Sequence, residues 1–322
     1  MLPVLGLDIA KAKCDVALQC ADGKIRHKTV RNTSEGHAEL LTWTARYVTG
    51  PVHACLEATG IYGEAVALAL ADAGHTVSIV NPLAIKAYAE SELRRAKTDR
   101  IDSDVILRYC GAQRPPAWVA PAPEVRTLQG LARRIVAVDQ MRIQELNHLE
   151  AHPADDLVRQ SITAVLRELT AELERLRALI REHIDRHPGL RQQRDLLRSI
   201  PGIGDTTAAT LLAELFGPMS CQNVRQAVAA AGVSPAVHQS GPKTRRGRLS
   251  SLGSRRLRKA LYFPALAAMR CNPVIQAMAQ RLASRGKCQM VIIVAAMRRL
   301  VHLAFGVLKS NRPFDAKIAL SD

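Results

Sequence analysis

The sequence predicts an α/β domain at the N-terminus, a helical hairpin in the middle and a basic, mostly helical C-terminal domain. Three observations predict this order. Short apolar runs alternate with helical patterns over the first 110 residues, two long segments then carry apolar residues at three- and four-residue steps, and the net positive charge lies in the last 132 residues. The 322 residues suffice for two or three domains. The predicted boundaries are 1–115, 116–190 and 191–322.

The N-terminal domain is predicted to contain five strands and four helices. The strands are Val4–Ile9, Asp15–Gln19, Lys24–Val30, Val52–Leu56 and Thr76–Val80. The helices run from Ser34, as N-cap, to about Val48, and over Ile61–Ala73, Leu83–Glu92 and Asp99–Cys110. Three strands followed by helix, strand, helix, strand and helix is the element order of an RNase H-like (RuvC-like) fold.

A proline-rich linker, from Pro115 to Pro123, leads into two long helical patterns, Val125–Ala151 and Asp155–Arg186. Ile162, Leu169 and Leu176 are among the apolar residues that recur along the second. The pattern fits a coiled-coil contact between subunits, and it also fits a helix packed within its own domain.

The C-terminal domain begins with a helix, the turn Ile200-Pro-Gly-Ile-Gly204 and a second helix over Thr206–Leu215. This pattern is typical of a helix–hairpin–helix, whose glycines let backbone N–H groups approach a phosphate. A Pro-Gly turn between two packed helices, with no DNA contact, is the alternative.

Charge divides the chain into a neutral part and a basic part. No Asp or Glu occurs from Leu215 to Phe314, a stretch with seventeen Lys and Arg. Residues 191–322 hold 21 basic and 5 acidic residues, whereas residues 1–190 hold 24 of each. A surface without carboxylates suits a polyanion such as DNA. Aromatic residues make up only 3% of the chain, so phosphate contacts rather than base stacking should dominate the affinity.

Cysteine usage and hydropathy predict a cytoplasmic protein. The seven cysteines are scattered and never spaced as CxxC, which argues against a disulfide framework or a zinc site. No signal peptide is apparent. The apolar run Met290–Met297 is too short to span a bilayer and is expected to be a buried helix.

Four carboxylates are the candidate catalytic residues of the first domain. Asp8 ends the first predicted strand and Glu57 the fourth, and these strands lie side by side in an RNase H-like sheet. Asp99 and Asp102 stand three residues apart at a helix start and therefore share a face. Asp15 and Asp104 are expected to be surface residues.

Four clustered carboxylates repel one another unless a cation neutralises them. Oxygen ligands suit Mg²⁺ or Mn²⁺, and two such ions about 4 Å apart can clamp the oxygens of a phosphoryl transfer. A lone Asp at a helix start, such as Asp99, is equally expected as an N-cap. The four acids together predict a metal site for phosphoryl transfer.

The basic domain carries a Gly- and Pro-containing loop, His238–Arg248, followed by a basic helix start, Ser254–Leu261. Ser240-Gly241 in this loop is the usual composition of a turn, and composition alone does not select Ser240 as a nucleophile. The candidates for phosphate contacts are Lys243, Arg245, Arg246, Arg248, Arg255, Arg256, Arg258 and Lys259.

These motifs resemble the DEDD-type transposases of bacterial insertion sequences, a family that includes the Piv-like DNA invertases and the bridge-RNA-guided recombinases. The segments that carry the resemblance, in family order, are GLDIAKAKCDVAL, EATGIYG, VNPLAIKAYAES, KTDRID, IPGIGDTTAATLLAEL and QSGPKTRRGRLSSLGSRRLRKALY. They span nearly the whole chain. Ser103, where relatives often have Ala, is a small departure.

The resemblance implies roles that the residue pattern alone does not establish. Asp8, Glu57, Asp99 and Asp102 would be the metal ligands, and Ser240 would form a covalent phosphoserine with a DNA strand. Donor and target DNA, a structured guide RNA and a homodimer or homotetramer are the implied partners. The implied location is the bacterial cytoplasm, in association with the nucleoid. Target sequence, guide RNA identity and the strand that is cut cannot be read from the protein.

Two other functions compete with this prediction. A junction-resolving nuclease would use metal-bound water and leave the serine idle, so no protein–DNA adduct would form. An architectural nucleic-acid-binding protein would bind in a salt-sensitive manner without Mg²⁺-dependent strand exchange.

Overall fold

The computed structural model describes residues 2–20, 22–58, 60–92, 99–151, 156–216, 221, 223–236, 239–240, 243–244, 248–249 and 253–317. Within these, the side chains of residues 61, 99–101, 236, 239, 240, 243, 244 and 248 are outside the description. The chain forms two compact units, 1–120 and 121–322.

The first unit is a five-stranded mixed sheet with helices. Its elements are β1 Val4–Ile9, β2 Lys13–Gln19, β3 Ile25–Arg31, α1 Ser34–Ala45, β4 His53–Glu57, a 3₁₀ turn Gly60–Gly63, α2 Glu64–Asp72, β5 Thr76–Val80, α3 Pro82–Ser91 and α4 Asp99–Gln113. The strand order is β3-β2-β1-β4-β5, with β1 antiparallel to β2 and parallel to β4. This mixed sheet confirms the α/β prediction and has the order expected of an RNase H-like domain.

Side chains of each strand alternate between the two faces of the sheet, and helices cover both faces. Leu5, Leu7 and Ile9 of β1 point to one face and join Leu40 of α1 and Val66 of α2 in one apolar cluster. The other face carries Cys55 of β4, which packs with residues of α3 and α4 in a second cluster.

The N-cap of α1 is Thr33, whose Oγ accepts from the Gly36 N–H, and not Ser34 as predicted.

In its described residues, the second unit consists of helices and four two-residue strands. Its elements are α5 Pro123–Ala151, α6 Asp156–Arg186, α7 Pro188–Arg198, α8 Asp205–Leu211, a π-helical turn Leu212–Phe216, α9 Val224–Ala230, β6 Pro235–Ala236, β7 Gln239–Ser240, β8 Lys243–Thr244, β9 Arg248–Leu249, α10 Arg255–Cys271, α11 Pro273–Ser284 and α12 Gln289–Ser310.

Helices α5 and α6 lie antiparallel, since His183 near the end of α6 bonds the Glu124 carbonyl at the start of α5 (2.7 Å). Val138, Leu173 and Leu176 are buried between them. Leu128 of α5 and Ile184 of α6 belong to the same core cluster as α7 to α12. The two long helices are therefore part of the second unit, and the three-region division and the coiled-coil interpretation stay predictions.

Close packing against α10 explains the glycine in the turn between α7 and α8. Gly202 has φ 102°, and a Cβ there would lie 2.6 Å from Ala268 Cβ of α10. The amide of Asn272 donates to the Pro201 carbonyl (3.2 Å). Tight packing of this turn explains Gly202 without a phosphate, so the helix–hairpin–helix interpretation stays a prediction.

Helix α12 is the one described helix that is long and apolar enough to cross a membrane by length and composition. Half of its most apolar window is buried inside the protein, and Ile293, Leu300 and Ala304 belong to the core of the second unit. Arg298 and Arg299 lie at its middle. These features are typical of the core helix of a globular unit.

Candidate active site

Asp8 and Glu57 lie next to each other at the carboxyl ends of neighbouring parallel strands. The β1–β4 register pairs Gly6 with Cys55 and Leu7 with Leu56, so the next step aligns Asp8 with Glu57. Residues in register on parallel strands point to the same face. Both side chains are half-buried, and this face is the one that α4 covers.

Helix α4 runs antiparallel to β1 and β4, which brings its first turn to the same end of the sheet. The Cys110 thiol donates to the His53 carbonyl at the start of β4 (3.7 Å), whereas Ser103 and Leu107 contact Gly6 in the middle of β1. Asp99 is the first residue of α4, and the half-buried Asp102 lies in its first turn. The Asp99 side chain lies outside the description.

Gly6 permits this close approach because it has no side chain. A Cβ at Gly6 would lie 2.4 Å from the Leu107 nitrogen and 2.5 Å from the Ser103 oxygen. Both are backbone atoms that cannot rotate away. Gly6 therefore fixes how closely the helix that carries Asp102 lies against the strand that carries Asp8.

We expect Gly6→Ala to destabilise the first unit by about 1–3 kcal/mol and to reduce recombination, because the new methyl group pushes α4 off the sheet. Gly111→Ala is the matched control. It lies on the same helix with nothing within 4 Å of the new methyl, so it should be neutral or stabilising. Thermal denaturation measures both, and equal melting temperatures for the two variants would contradict this packing argument.

Burial and hydrogen bonding, with a smaller contribution from the carboxylates, raise the pKa of two neighbouring thiols. Burial, followed by the charges of Asp15 and Asp8, raises the pKa of Cys14 to about 11. The hydrogen bond to Cys110, followed by burial and, more weakly, the charge of Glu57, raises the pKa of Cys55 above its ordinary value. Asp8 and Glu57 thus each disfavour the thiolate form of a neighbouring cysteine.

Among the side chains that the structure describes, which exclude that of Asp99, no group of three or more His, Cys, Asp or Glu residues is arranged to hold a metal ion. Asp8, Glu57 and Asp102 lie at the same end of one sheet face, but these three side chains alone are not arranged as metal ligands. Half-buried carboxylates at one place supply the oxygen ligands that a divalent cation takes.

Two further acids of this region are not the surface residues that the sequence predicts. Asp15 lies directly across from Asp8, and its oxygens accept from Thr29 (2.5 Å) and pair with Lys13 (2.9 Å). Asp104 is half-buried and pairs with Nε2 of His27 on β3 (2.8 Å). Thr29 and His27 both lie on β3, and such partners from another strand are not visible to helical phase and strand alternation.

Ser240 ends β7, and its backbone pairs with Lys243 of β8, so the two strands form a short hairpin with residues 241–242 between them. The Ser240, Lys243 and Arg248 side chains, and all of Arg245 and Arg246, lie outside the description. The structure thus gives the backbone setting of Ser240 and leaves its predicted role untested.

The four cations at the start of α10 have different surroundings. Arg258 donates to the Gly232 carbonyl (3.3 Å), and Arg256 pairs with Glu214 (3.4 Å). Arg255 and Lys259 are exposed. Cations in the first helical turn oppose the helix dipole, and a bound anion would offset this cost. Arg255 and Lys259 are the better candidates for phosphate contacts.

Glu214, the last acid before the acid-free stretch, is a structural residue that sequence reasoning missed. It lies in the π-helical turn, is almost fully buried, and contacts Arg133 of α5 (3.2 Å) as well as Arg256. The Ala213 carbonyl beside it accepts from Gln129 (2.9 Å). Its charge is therefore compensated by the two arginines inside the unit and does not repel a polyanion at the surface.

A mixed sheet of this order with acids at one end, followed by a basic helical unit, is the arrangement of a DEDD transposase. Residues 5–152 match the DEDD transposase family of IS110, described as "Transposase", and residues 194–280 match the "Transposase IS116/IS110/IS902 family". The chain belongs to this IS110-type family of transposases. It is a DNA recombinase, and DNA is its substrate.

Relatives along nearly the whole chain support this assignment. The "Pilin gene-inverting protein" of Moraxella bovis is 32% identical over 318 residues, 98% of each chain, and that of Moraxella lacunata is equally similar over the same length. The "Insertion element IS110 uncharacterized 43.6 kDa protein" of Streptomyces coelicolor is 24% identical over 226 residues, 68% of this chain and 52% of that protein.

Proposed function

We propose that this transposase cleaves and rejoins DNA through a covalent phosphoserine at Ser240, with Asp8, Glu57, Asp99 and Asp102 holding Mg²⁺ or Mn²⁺. The observation that carries the metal role is the alignment of Asp8 with Glu57 at the end of adjacent parallel strands, with the first turn of α4 at the same end. Asp99 starts that turn. A bound divalent cation would supply charge stabilisation of the phosphate.

The serine step balances without a further reactant. The Ser240 oxygen attacks the phosphorus of one DNA strand, its proton passes to solvent or a base, and the bond from phosphorus to the bridging oxygen breaks. The released strand end takes up a proton. A hydroxyl end of the second DNA then loses its proton and attacks the phosphoserine, and the serine oxygen leaves and takes up a proton. One phosphodiester is exchanged for another, so no energy source is needed.

The basic part of the chain supports binding of a nucleic acid along its phosphates. The stretch from Leu215 to Phe314 contains no acid, and Arg255 and Lys259 are exposed at one helix start. These features suit donor and target DNA, and equally a structured guide RNA, as members of the family use. Lys243, Arg245, Arg246 and Arg248 flank Ser240 and would hold the scissile strand.

A homodimer or homotetramer is the proposed assembly, with the helical hairpin as the contact. Met141 and Leu146 of α5 and Val165 of α6 are 47%, 41% and 43% exposed. Apolar side chains on two adjacent exposed helices fit a second copy of the same helices.

The test is a recombination assay with donor DNA, target DNA and RNA transcribed from the sequence flanking the gene, with and without Mg²⁺. Strand exchange that requires Mg²⁺ supports the proposal. Cleavage without rejoining would favour the junction-resolving nuclease, and salt-sensitive binding without any strand exchange would favour the architectural protein.

Lys259→Gln is expected to weaken DNA binding and to lower the slope of log K against log salt by about 0.9, because one phosphate contact is lost. Lys86→Gln on α3 is the matched control. It is exposed, lies in the neutral part of the chain and has Glu90 as its neighbour (3.8 Å). Binding titrations at several salt concentrations measure the slope, and identical slopes for both variants would exclude Lys259 from the interface.

A further inference from the structure

Asn32 lies at the end of β3 and is bonded to two loops that follow the candidate catalytic acids. Its Nδ2 donates to the Ala10 carbonyl (3.0 Å), two residues after Asp8, and to the Tyr62 carbonyl (3.0 Å), in the 3₁₀ turn that follows Glu57. Its backbone N–H also donates to the Ala12 carbonyl (3.0 Å). One side chain thus joins the loop after β1 to the loop after β4.

The orientation of the Asn32 amide follows from its partners. Carbonyl oxygens only accept, so the NH₂ group must face Ala10 and Tyr62, and Oδ1 faces Nε2 of His37 (2.8 Å). His37 Nε2 is therefore the donor in that bond. Both donors and the acceptor of the amide are used, which leaves the side chain one orientation.

His37 holds the Asn32 amide in this orientation, and His37 is itself held in place by α1. It lies on α1, is only 6% exposed, and sits next to Gly36, which packs so tightly that an added Cβ would lie 1.9 Å from the Arg31 oxygen. Burial lowers the pKa of His37, more than the Glu35 charge raises it. The helix thus fixes His37, His37 fixes the Asn32 amide, and the amide fixes both loops.

We infer that Asn32 is a positioning residue that sets the separation of Asp8 and Glu57 for metal binding, and that His37 acts through it. The inference rests on the proposed metal role of those two acids. Direct pairing between β1 and β4 extends to Leu7 and Leu56, one residue before the two acids. Past that point β1 pairs with β2 and β4 pairs with β5 rather than with each other, and the Asn32 amide bonds the loops that follow both strands.

The test uses Mn²⁺ binding by the full chain without DNA, measured by electron paramagnetic resonance or calorimetry, alongside melting temperature. We expect Asn32→Ala to weaken Mn²⁺ binding by about 10-fold, as is typical when a residue that orients metal ligands is lost. The Mg²⁺ concentration for half-maximal recombination should rise by the same factor. His37→Leu should give a smaller loss, and His37→Gln, which retains a donor, should recover part of it.

Thr33→Ala is the matched control, because it removes the N-cap bond of α1 (3.3 Å) next to Asn32 without touching either loop. It should lower the melting temperature and leave Mn²⁺ affinity unchanged, because the His37 N–H still donates to the carbonyl of residue 33 (2.9 Å). If Asn32→Ala does not fold, Asn32→Asp retains the volume and the acceptor for His37 while its carboxylate repels the two carbonyls, so it should show the same loss.

The outcomes separate this inference from the proposed function. Unchanged Mn²⁺ affinity in Asn32→Ala, together with lost binding in Asp8→Asn, overturns the positioning role alone. Unchanged binding in Asp8→Asn overturns the metal site itself, and the positioning role with it. A fall in melting temperature with no change in affinity assigns Asn32 a purely structural role.

Discussion

Asp8→Asn is expected to reduce Mg²⁺-dependent recombination by roughly 10³-fold or more while the protein stays folded. Asn has nearly the same shape as Asp, so the strand and its pairing with β4 should survive. The lost charge weakens cation binding where charge stabilisation is worth several kcal/mol, and about 4 kcal/mol corresponds to a factor of 10³ in rate. The melting temperature of the variant is measured alongside, so that a loss of folding is distinguished from a loss of metal binding.

Asp22→Asn is the control for Asp8→Asn. Asp22 is an exposed turn residue of the same unit that accepts from the Lys24 N–H (3.0 Å), and it lies outside the candidate site. It should recombine DNA at the rate of the unsubstituted protein. Rates are to be measured over a Mg²⁺ titration, because a variant that recovers at high Mg²⁺ has lost metal affinity rather than chemistry. Full activity of Asp8→Asn at low Mg²⁺ would exclude the metal role.

The sheet could be predicted from the sequence because its signals are local. Val4–Ile9 and Thr76–Val80 are bounded as predicted, since each is a short apolar run that ends at polar or turn residues. The order of elements then leaves few ways to arrange five strands. The pairing of β1 with β4, and with it the alignment of Asp8 and Glu57, followed from the fold class.

The network around the acids could not be predicted, because it joins residues that are distant in sequence. Asn32 contacts Tyr62 thirty positions away, and His27 contacts Asp104 seventy-seven positions away. Composition gives Asn32 the properties of an ordinary loop residue before a helix. Only the sheet order, which brings the end of β3 beside the loop after β1, shows why an amide is needed there.

Local sequence signals do not identify Ser240, the proposed nucleophile. Ser240-Gly241 has the composition of any turn, and the backbone pairing of Ser240 with Lys243 is what such a turn would form in a protein of any function. Family resemblance selects this serine. Its role therefore depends on a chemical test more than any other residue does.

Ser240→Ala is expected to abolish strand exchange, with a loss on the order of 10³-fold or more, because no other group replaces a covalent nucleophile. The variant should also fail to form a protein–DNA adduct that survives denaturation. DNA binding should be nearly unchanged, since an uncharged hydroxyl contributes little beside the cations of the same loop. Loss of chemistry with retained binding distinguishes a nucleophile from a residue that holds DNA.

Ser254→Ala is the matched control in the same unit. Ser254 caps α10 by accepting from the Leu257 N–H (3.2 Å), so its loss should cost about 1 kcal/mol of stability and leave adduct formation intact. Denaturing gel electrophoresis with labelled DNA detects the adduct in both variants. A Ser240→Ala protein that still forms the adduct would place the nucleophile elsewhere. A protein that exchanges strands without any adduct would show that water or a DNA hydroxyl attacks directly, and the four acids would then act without the serine.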